Sequence, residues 1–308
     1  MKTVVMLAMM SAAQQTGWYP HEGGNLDYRV HIRFGEEPDT MPAGWKFGRV
    51  SSVGVDSAGR VYVFHRGDKA DPMVVFDAEG RYLRGWGKGF FSSPHGLRID
   101  KQDHLWITDT GLHQVFEFTG EGLLLRQWGA KGAPGCDEKT FNKPTDVAFA
   151  SDGSFYVSDG YGNSRVVKFS AQGEFLKAWG TKGSGPGQFN LPHVVQTDSR
   201  GTVYVSDREN NRIQIFDAEG KFLREWTHLG ATQGMHIGPR DEMWIVTHRN
   251  NRENAVYDTL AGRIMKIDPA TGRIIGSMES PGHWITLNPG GEIFIGSLTG
   301  NVFRWRPR

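Results

Sequence analysis

The chain has 308 residues, 41 of them glycine and one cysteine, and its 35 Lys and Arg against 34 Asp and Glu leave a net charge of +1. With both signs interspersed, that balance excludes a basic nucleic-acid-binding stripe and an acidic tail. The lone Cys136 excludes an intrachain disulfide and a Cys-rich zinc module, and the length suits one closed all-β ring better than one ordinary core.

At the N-terminus, Met1-Lys2 precedes an apolar run over residues 4–10 and then Ser11-Ala12-Ala13. Residues 1–13 thus have the order of a secretory signal: positive start, apolar stretch, small residues. An apolar tail is the other reading. The first makes the protein secreted or periplasmic, the second cytoplasmic. No other stretch approaches the ~20 apolar residues that span a bilayer, so no membrane partner is expected. Residues 14–42 hold a strand candidate, Tyr28 to Phe34, and a Pro- and acid-rich connection into the body over 43–308.

That body is a repeat. Apolar runs recur at Val61-Tyr62-Val63-Phe64, Leu105-Trp106-Ile107-Thr108, Phe155-Tyr156-Val157-Ser158, Val203-Tyr204-Val205-Ser206, Met243-Trp244-Ile245-Val246 and Ile293-Phe294-Ile295-Gly296, with starts 44, 50, 48, 40 and 50 residues apart. This is the period of a four-stranded propeller blade. In each complete repeat an inner strand precedes the run, a third strand follows it, and a Gly-containing turn leads to a fourth ending at Trp86, Trp128, Trp179 or Trp226, placed to pack between blades. The pattern predicts an all-β, six-bladed β-propeller. Its last repeat ends one strand short at Arg308, so the Tyr28 to Phe34 segment is expected to close the ring and remove its exposed edge.

Equal register turns spacing into geometry. Ten residues before the six runs stand Ser51, His95, Thr145, His193, Gln233 and His283. Histidine falls on blades two, four and six, about 120° apart around the axis. Three imidazoles at one height form a His₃ set with an open position, the pattern of catalytic zinc; separately hydrogen-bonded channel residues are the blander alternative. Five residues past each run's start stand Arg66, Thr110, Gly160, Arg208, His248 and Leu298, with Tyr161 one further. Arg66 and Arg208 should overhang the metal position from two directions, fit to bind a carboxylate in bidentate fashion, or else pair with Asp68 and Glu209. Tyr161 is the best-placed general base, since a dication and an arginine ease loss of a phenolic proton; packing across a loop is its other reading. Asp109, Asp159 and Asp207 recur four past the run's start and read as loop caps, and His113 as structural.

The repeat resembles the NHL family of β-propellers. The words Phe64-His65-Arg66-Gly67-Asp68, Pro94-His95-Gly96-Leu97, Leu112-His113-Gln114-Val115-Phe116, Pro144-Thr145-Asp146-Val147, Asp159-Gly160-Tyr161-Gly162-Asn163-Ser164-Arg165 and Asp207-Arg208-Glu209-Asn210 resemble those of peptidyl-α-hydroxyglycine α-amidating lyases. The resemblance implies a zinc on His95, His193 and His283, Tyr161 as the base, Arg66 near the metal and Arg208 supporting the site. It also implies a structural calcium on the backbone of Val53 and Leu97 and on an Asp of a Met-Pro-His-Asp word. Here that word reads Pro281-Gly282-His283-Trp284. The implied reaction cleaves the N–C bond of a carbinolamide, giving an amide and glyoxylate from a small or peptide-terminal substrate with a carboxylate. The expected working form is a monomer without a nucleic-acid partner. A lactonase-like metal-dependent hydrolase and a non-catalytic NHL binding scaffold are the competing readings.

Overall fold

The computed structural model describes residues 19–20, 26–31, 34–35, 40–247, 262–280 and 282–308. Residues 1–13, Pro281 and His248 lie outside them.

Six antiparallel sheets form the ring. Blade one is Arg49–Val55, Val61–Arg66, Met73–Phe76 and Tyr82–Trp86; blade two is Pro94–Ile99, Leu105–Asp109, Gln114–Phe118 and Leu124–Trp128. Blade three is Asp146–Phe149, Phe155–Asp159, Arg165–Phe169 and Phe175–Trp179, and blade four is Pro192–Thr197, Val203–Asp207, Arg212–Phe216 and Phe222–Trp226. Blade five is Thr232–Ile237, Met243–Thr247, Arg263–Ile267 and Ile274–Glu279. Blade six takes Trp284–Leu287, Ile293–Gly296 and Val302–Pro307 from the C-terminal end, then Tyr28–His31 from the N-terminal one, paired from Tyr28↔Pro307 to His31↔Arg304. The expected closing strand is therefore in place, with Tyr19–Pro20 paired outside it. Each innermost strand touches those of its two neighbours, the sixth touching the first. No described helix is long and apolar enough to cross a membrane.

The second strands read as unbroken apolar runs because both faces of each sheet are buried. Among the described residues the apolar core divides into six clusters, one between each pair of adjacent blades; Tyr62 and Phe64 of blade one meet Leu97 and Ile107 of blade two, for example. Burying one such side chain stabilises the ring by roughly 1.5–3 kcal/mol. The four repeat tryptophans act between blades, as expected. Trp86, Trp128, Trp179 and Trp226 lie against Gly122, Gly173, Gly220 and Gly272 of the following blade's outer turn, so closely that a Cβ there would come within 2.5–2.8 Å of the indole. Trp128 also donates its Nε1 proton to the Gly173 carbonyl at 3.0 Å.

Candidate metal centre

The six equivalent positions are where the inner strands break register. The ladder slips between Val50 and Ser52, Pro94 and Leu97, Pro192 and Val194, and Thr232 and Gly234, which leaves Ser51, His95, His193 and Gln233 out of the pairing. Thr145 and His283 stand one residue ahead of their strands, held by backbone bonds to Ser158 and Gly296. Bulges of this kind re-aim a side chain. Here they free one residue per blade for the channel.

The two halves of the set are complementary. His95 Nδ1 bonds the Thr145 carbonyl at 2.8 Å, His193 Nδ1 that of Gln233 at 2.8 Å, and His283 Nδ1 that of Ser51 at 2.7 Å. Each histidine on an even blade is thus anchored by the backbone of the equivalent residue on the next odd blade. A carbonyl only accepts, so every Nδ1 carries the proton and every Nε2 keeps its lone pair. Ring centroids are 5.0, 5.1 and 5.1 Å apart, and ligand atoms of all three lie within 4.8 Å of one another. The rings are 0%, 0% and 3% exposed. Burial, then the neighbouring His283 and the Arg66 charge, holds His95 well below the usual imidazole range; burial, then Arg208 and His95, does the same for His193. Neutral imidazoles with Nδ1 tied to carbonyls and Nε2 convergent make a donor set that fits a zinc-type ion with one position open.

Tyr161 lies across this set. Its loop can approach because residue 160 is glycine: a Cβ there would lie 2.0 Å from the Pro192 carbonyl oxygen. The Tyr161 hydroxyl is 3.1 Å from Nε2 of both His95 and His193. Arg208, on a single 3-10 turn Arg208–Asn210, places Nη1 3.4 Å from that hydroxyl and 3.4 Å from Gln233 Oε1. Its Nε and Nη2 bond Glu209 at 3.1 and 3.0 Å. Of the two readings of Arg208, a carboxylate clamp or a pair with Glu209, the structure shows the pair. Arg66 donates Nε to the Pro94 carbonyl at 2.6 Å, one residue from His95. Gln233 was missed as a partner of Arg208; its place in the six-fold set was the signal available.

The remaining expectations resolve as structural. Asp109 accepts backbone N–H groups of Ser92, Ser93, Gly111 and Leu112, while Asp159 and Asp207 bond Arg165 and Arg212. His113 Nδ1 accepts the Lys143 N–H at 3.1 Å. Near Val53 and Leu97 the donor chemistry does not fit calcium. Position 284 has an indole instead of a carboxylate, and Arg98, next to Leu97, brings a fixed positive charge 4.4 Å from its ring.

The NHL repeat family matches residues 91–118, 141–169 and 189–216, within blades two, three and four. The chain is a six-bladed propeller that carries NHL repeats in blades two to four. Over 219 residues it is 37% identical to peptidyl-glycine alpha-amidating monooxygenase A of Xenopus laevis, an alignment covering 61% of this chain and 23% of that protein. Over 204 residues it is 35% identical to peptidyl-alpha-hydroxyglycine alpha-amidating lyase 1 of Drosophila melanogaster, covering 55% of this chain and 38% of that one. This propeller therefore spans less than half the length of either relative. A gluconolactonase from Xanthomonas campestris superposes with a TM-score of 0.65 at 12% identity, over 94% of this chain and 97% of that one, a likeness of fold alone.

Proposed function

We propose that the chain is a zinc-dependent carbon–nitrogen lyase that cleaves an α-hydroxyglycine-type carbinolamide into an amide and glyoxylate. The observation that carries this reading is the convergence of three buried histidines, two of whose Nε2 atoms lie 3.1 Å from the Tyr161 hydroxyl. The similarity to proteins named as amidating lyases and monooxygenases supports it. His95, His193 and His283 hold the ion, which when bound supplies Lewis-acid polarisation of a substrate oxygen.

The chain's own groups do the rest. Tyr161 takes the proton of the substrate hydroxyl as general base. The released electron pair closes the aldehyde C=O of glyoxylate as the C–N bond breaks, and the departing amide nitrogen takes a proton back from the Tyr161 phenol. Arg208, 3.4 Å from that oxygen, holds it in place by a hydrogen bond from Nη1. Arg66, anchored beside His95, contributes positive charge for the substrate carboxylate. A small molecule or a peptide C-terminus with that carboxylate meets these demands.

The test is glyoxylate release from α-hydroxyhippurate by purified, metal-analysed protein. Glyoxylate in proportion to bound zinc is the expected result. Zinc-loaded protein that releases none, yet opens a lactone, would replace this reading with the hydrolase one.

A further inference from the structure

Further along the inner strands from the triad lies a second buried polar cluster that the lyase chemistry leaves unused. Arg98 of blade two gives Nε and Nη2 to the two carboxylate oxygens of Asp146, which opens the inner strand of blade three, at 2.8 and 2.7 Å. The side chains are 8% and 0% exposed. Val195 of blade four donates its N–H to the same carboxylate at 3.2 Å. The Arg98 guanidinium carbon lies 4.4 Å from the ring centroid of Trp284, which opens blade six. Trp284 in turn stacks on His283, with centroids 6.4 Å apart and planes 28° off parallel, and lies 6.3 Å from His95. Its Cη2 also closes on Gly96, where a Cβ would sit 3.3 Å away. Inner strands of four blades thus meet around one Arg98–Asp146 pair.

The resemblance puts a structural calcium in this neighbourhood. Calcium takes six to eight oxygens, carboxylates foremost. Asp146 has both its oxygens engaged by Arg98, the Trp284 side chain offers no oxygen, and the guanidinium charge repels a dication. Charge-assisted bidentate bonding and cation–π stacking supply from within the chain the cohesion that such an ion would give. Burial pushes the Asp146 carboxyl up from its ordinary value while Arg98 pulls it down, so the pair belongs together: either partner alone would be a stranded buried charge.

We propose that Arg98 is a built-in replacement for the structural calcium, a tethered cation that joins the inner strands and holds Trp284 against two metal-ligand histidines, so that the fold needs no calcium ion. Lyase activity is not required for this to hold, and neither readout below uses it.

The experiment compares calcium-stripped, zinc-loaded wild-type protein with the Arg98→Ala/Trp284→Asp double variant by titration calorimetry and thermal unfolding. For the wild type, millimolar calcium should give no binding heat and move Tm by less than about 1 °C. Stoichiometric calcium binding by the wild type overturns the proposal. The double variant, with a carboxylate restored and the guanidinium removed, should melt lower and recover by about 4 °C or more at saturating calcium. Where it does not fold without the ion, its refolding yield with and without calcium gives the same comparison. A double variant that calcium neither stabilises nor refolds overturns the equivalence of Arg98 and the ion.

Discussion

At the His95 level of the channel three imidazoles gather their ligand atoms within 4.8 Å of one another, whereas three residues further along a guanidinium and a carboxylate pair with each other, the guanidinium lying over the Trp284 ring. The same inner strands build both levels. At the first, Tyr161 sets its hydroxyl 3.1 Å from the Nε2 atoms of His95 and His193. The second already contains its cation. Buried charge costs free energy unless paired, so imidazoles converging on one point mark a place for an added ion, and a charge already paired within the chain marks architecture.

Exchanging the roles of the two levels should therefore separate metal and activity from stability. The largest effect is expected for His193→Ala, which removes one of three Nε2 donors. Bound zinc should be lost, and kcat/KM should fall by at least about 10⁴-fold, since several kcal/mol of charge stabilisation go with the ion and the proton transfer it assists. Metal analysis beside the glyoxylate assay checks this; retained zinc with full activity would dissolve the distinction. Tyr161→Phe should keep the metal yet lose roughly 10³-fold in kcat, the scale of a general base. Asp146→Asn should do the reverse. It strands the Arg98 charge in a buried site and should cost about 3–5 kcal/mol in denaturant unfolding, with zinc still bound to the folded protein.

Much of this was legible in the sequence, for identifiable reasons. Each blade repeats the same strand and turn chemistry, so the ring, its closure by Tyr28–His31 and the alternation of His95, His193 and His283 followed from register alone. His283 was placed by position although its surrounding word departs from the family's. The anchoring of each Nδ1 was not legible, because the partners are backbone carbonyls of Ser51, Thr145 and Gln233, and a carbonyl leaves no mark in residue type. Nor was the Arg98–Asp146 pair, whose members are 48 residues apart and meet only once two blades stand side by side. For Arg208 the sequence left a substrate clamp and a pair with Glu209 both open, because adjacent residue types do not say which way the Glu209 carboxylate turns; it turns onto Arg208.

The smallest effect concerns a histidine that belongs to neither level. His65 is as buried as the triad, at 0% exposure, but its Nδ1 accepts the Gly48 N–H at 3.2 Å, so the neutral ring carries its proton on Nε2 and presents no convergent lone pair. Phe47 packs edge-on against it, with centroids 5.4 Å apart. Burial lowers its pKa to about 4, against an unfolded value near ~6.5. Above pH ~6.5 neither state binds the proton, and His65 adds no pH dependence. Between about 6.5 and 4 the unfolded chain takes up a proton that the folded one refuses, so stability falls with pH across that window by about 3 kcal/mol in total. Urea unfolding of wild-type and His65→Leu proteins at pH 7 and pH 4.5 checks this. The variant, which has no group to charge there, should gain about 2–3 kcal/mol relative to wild type on acidification. Both proteins keep the triad, so its protons cancel in the comparison; a variant that gains nothing on acidification would show that His65 is not the group whose burial sets this window.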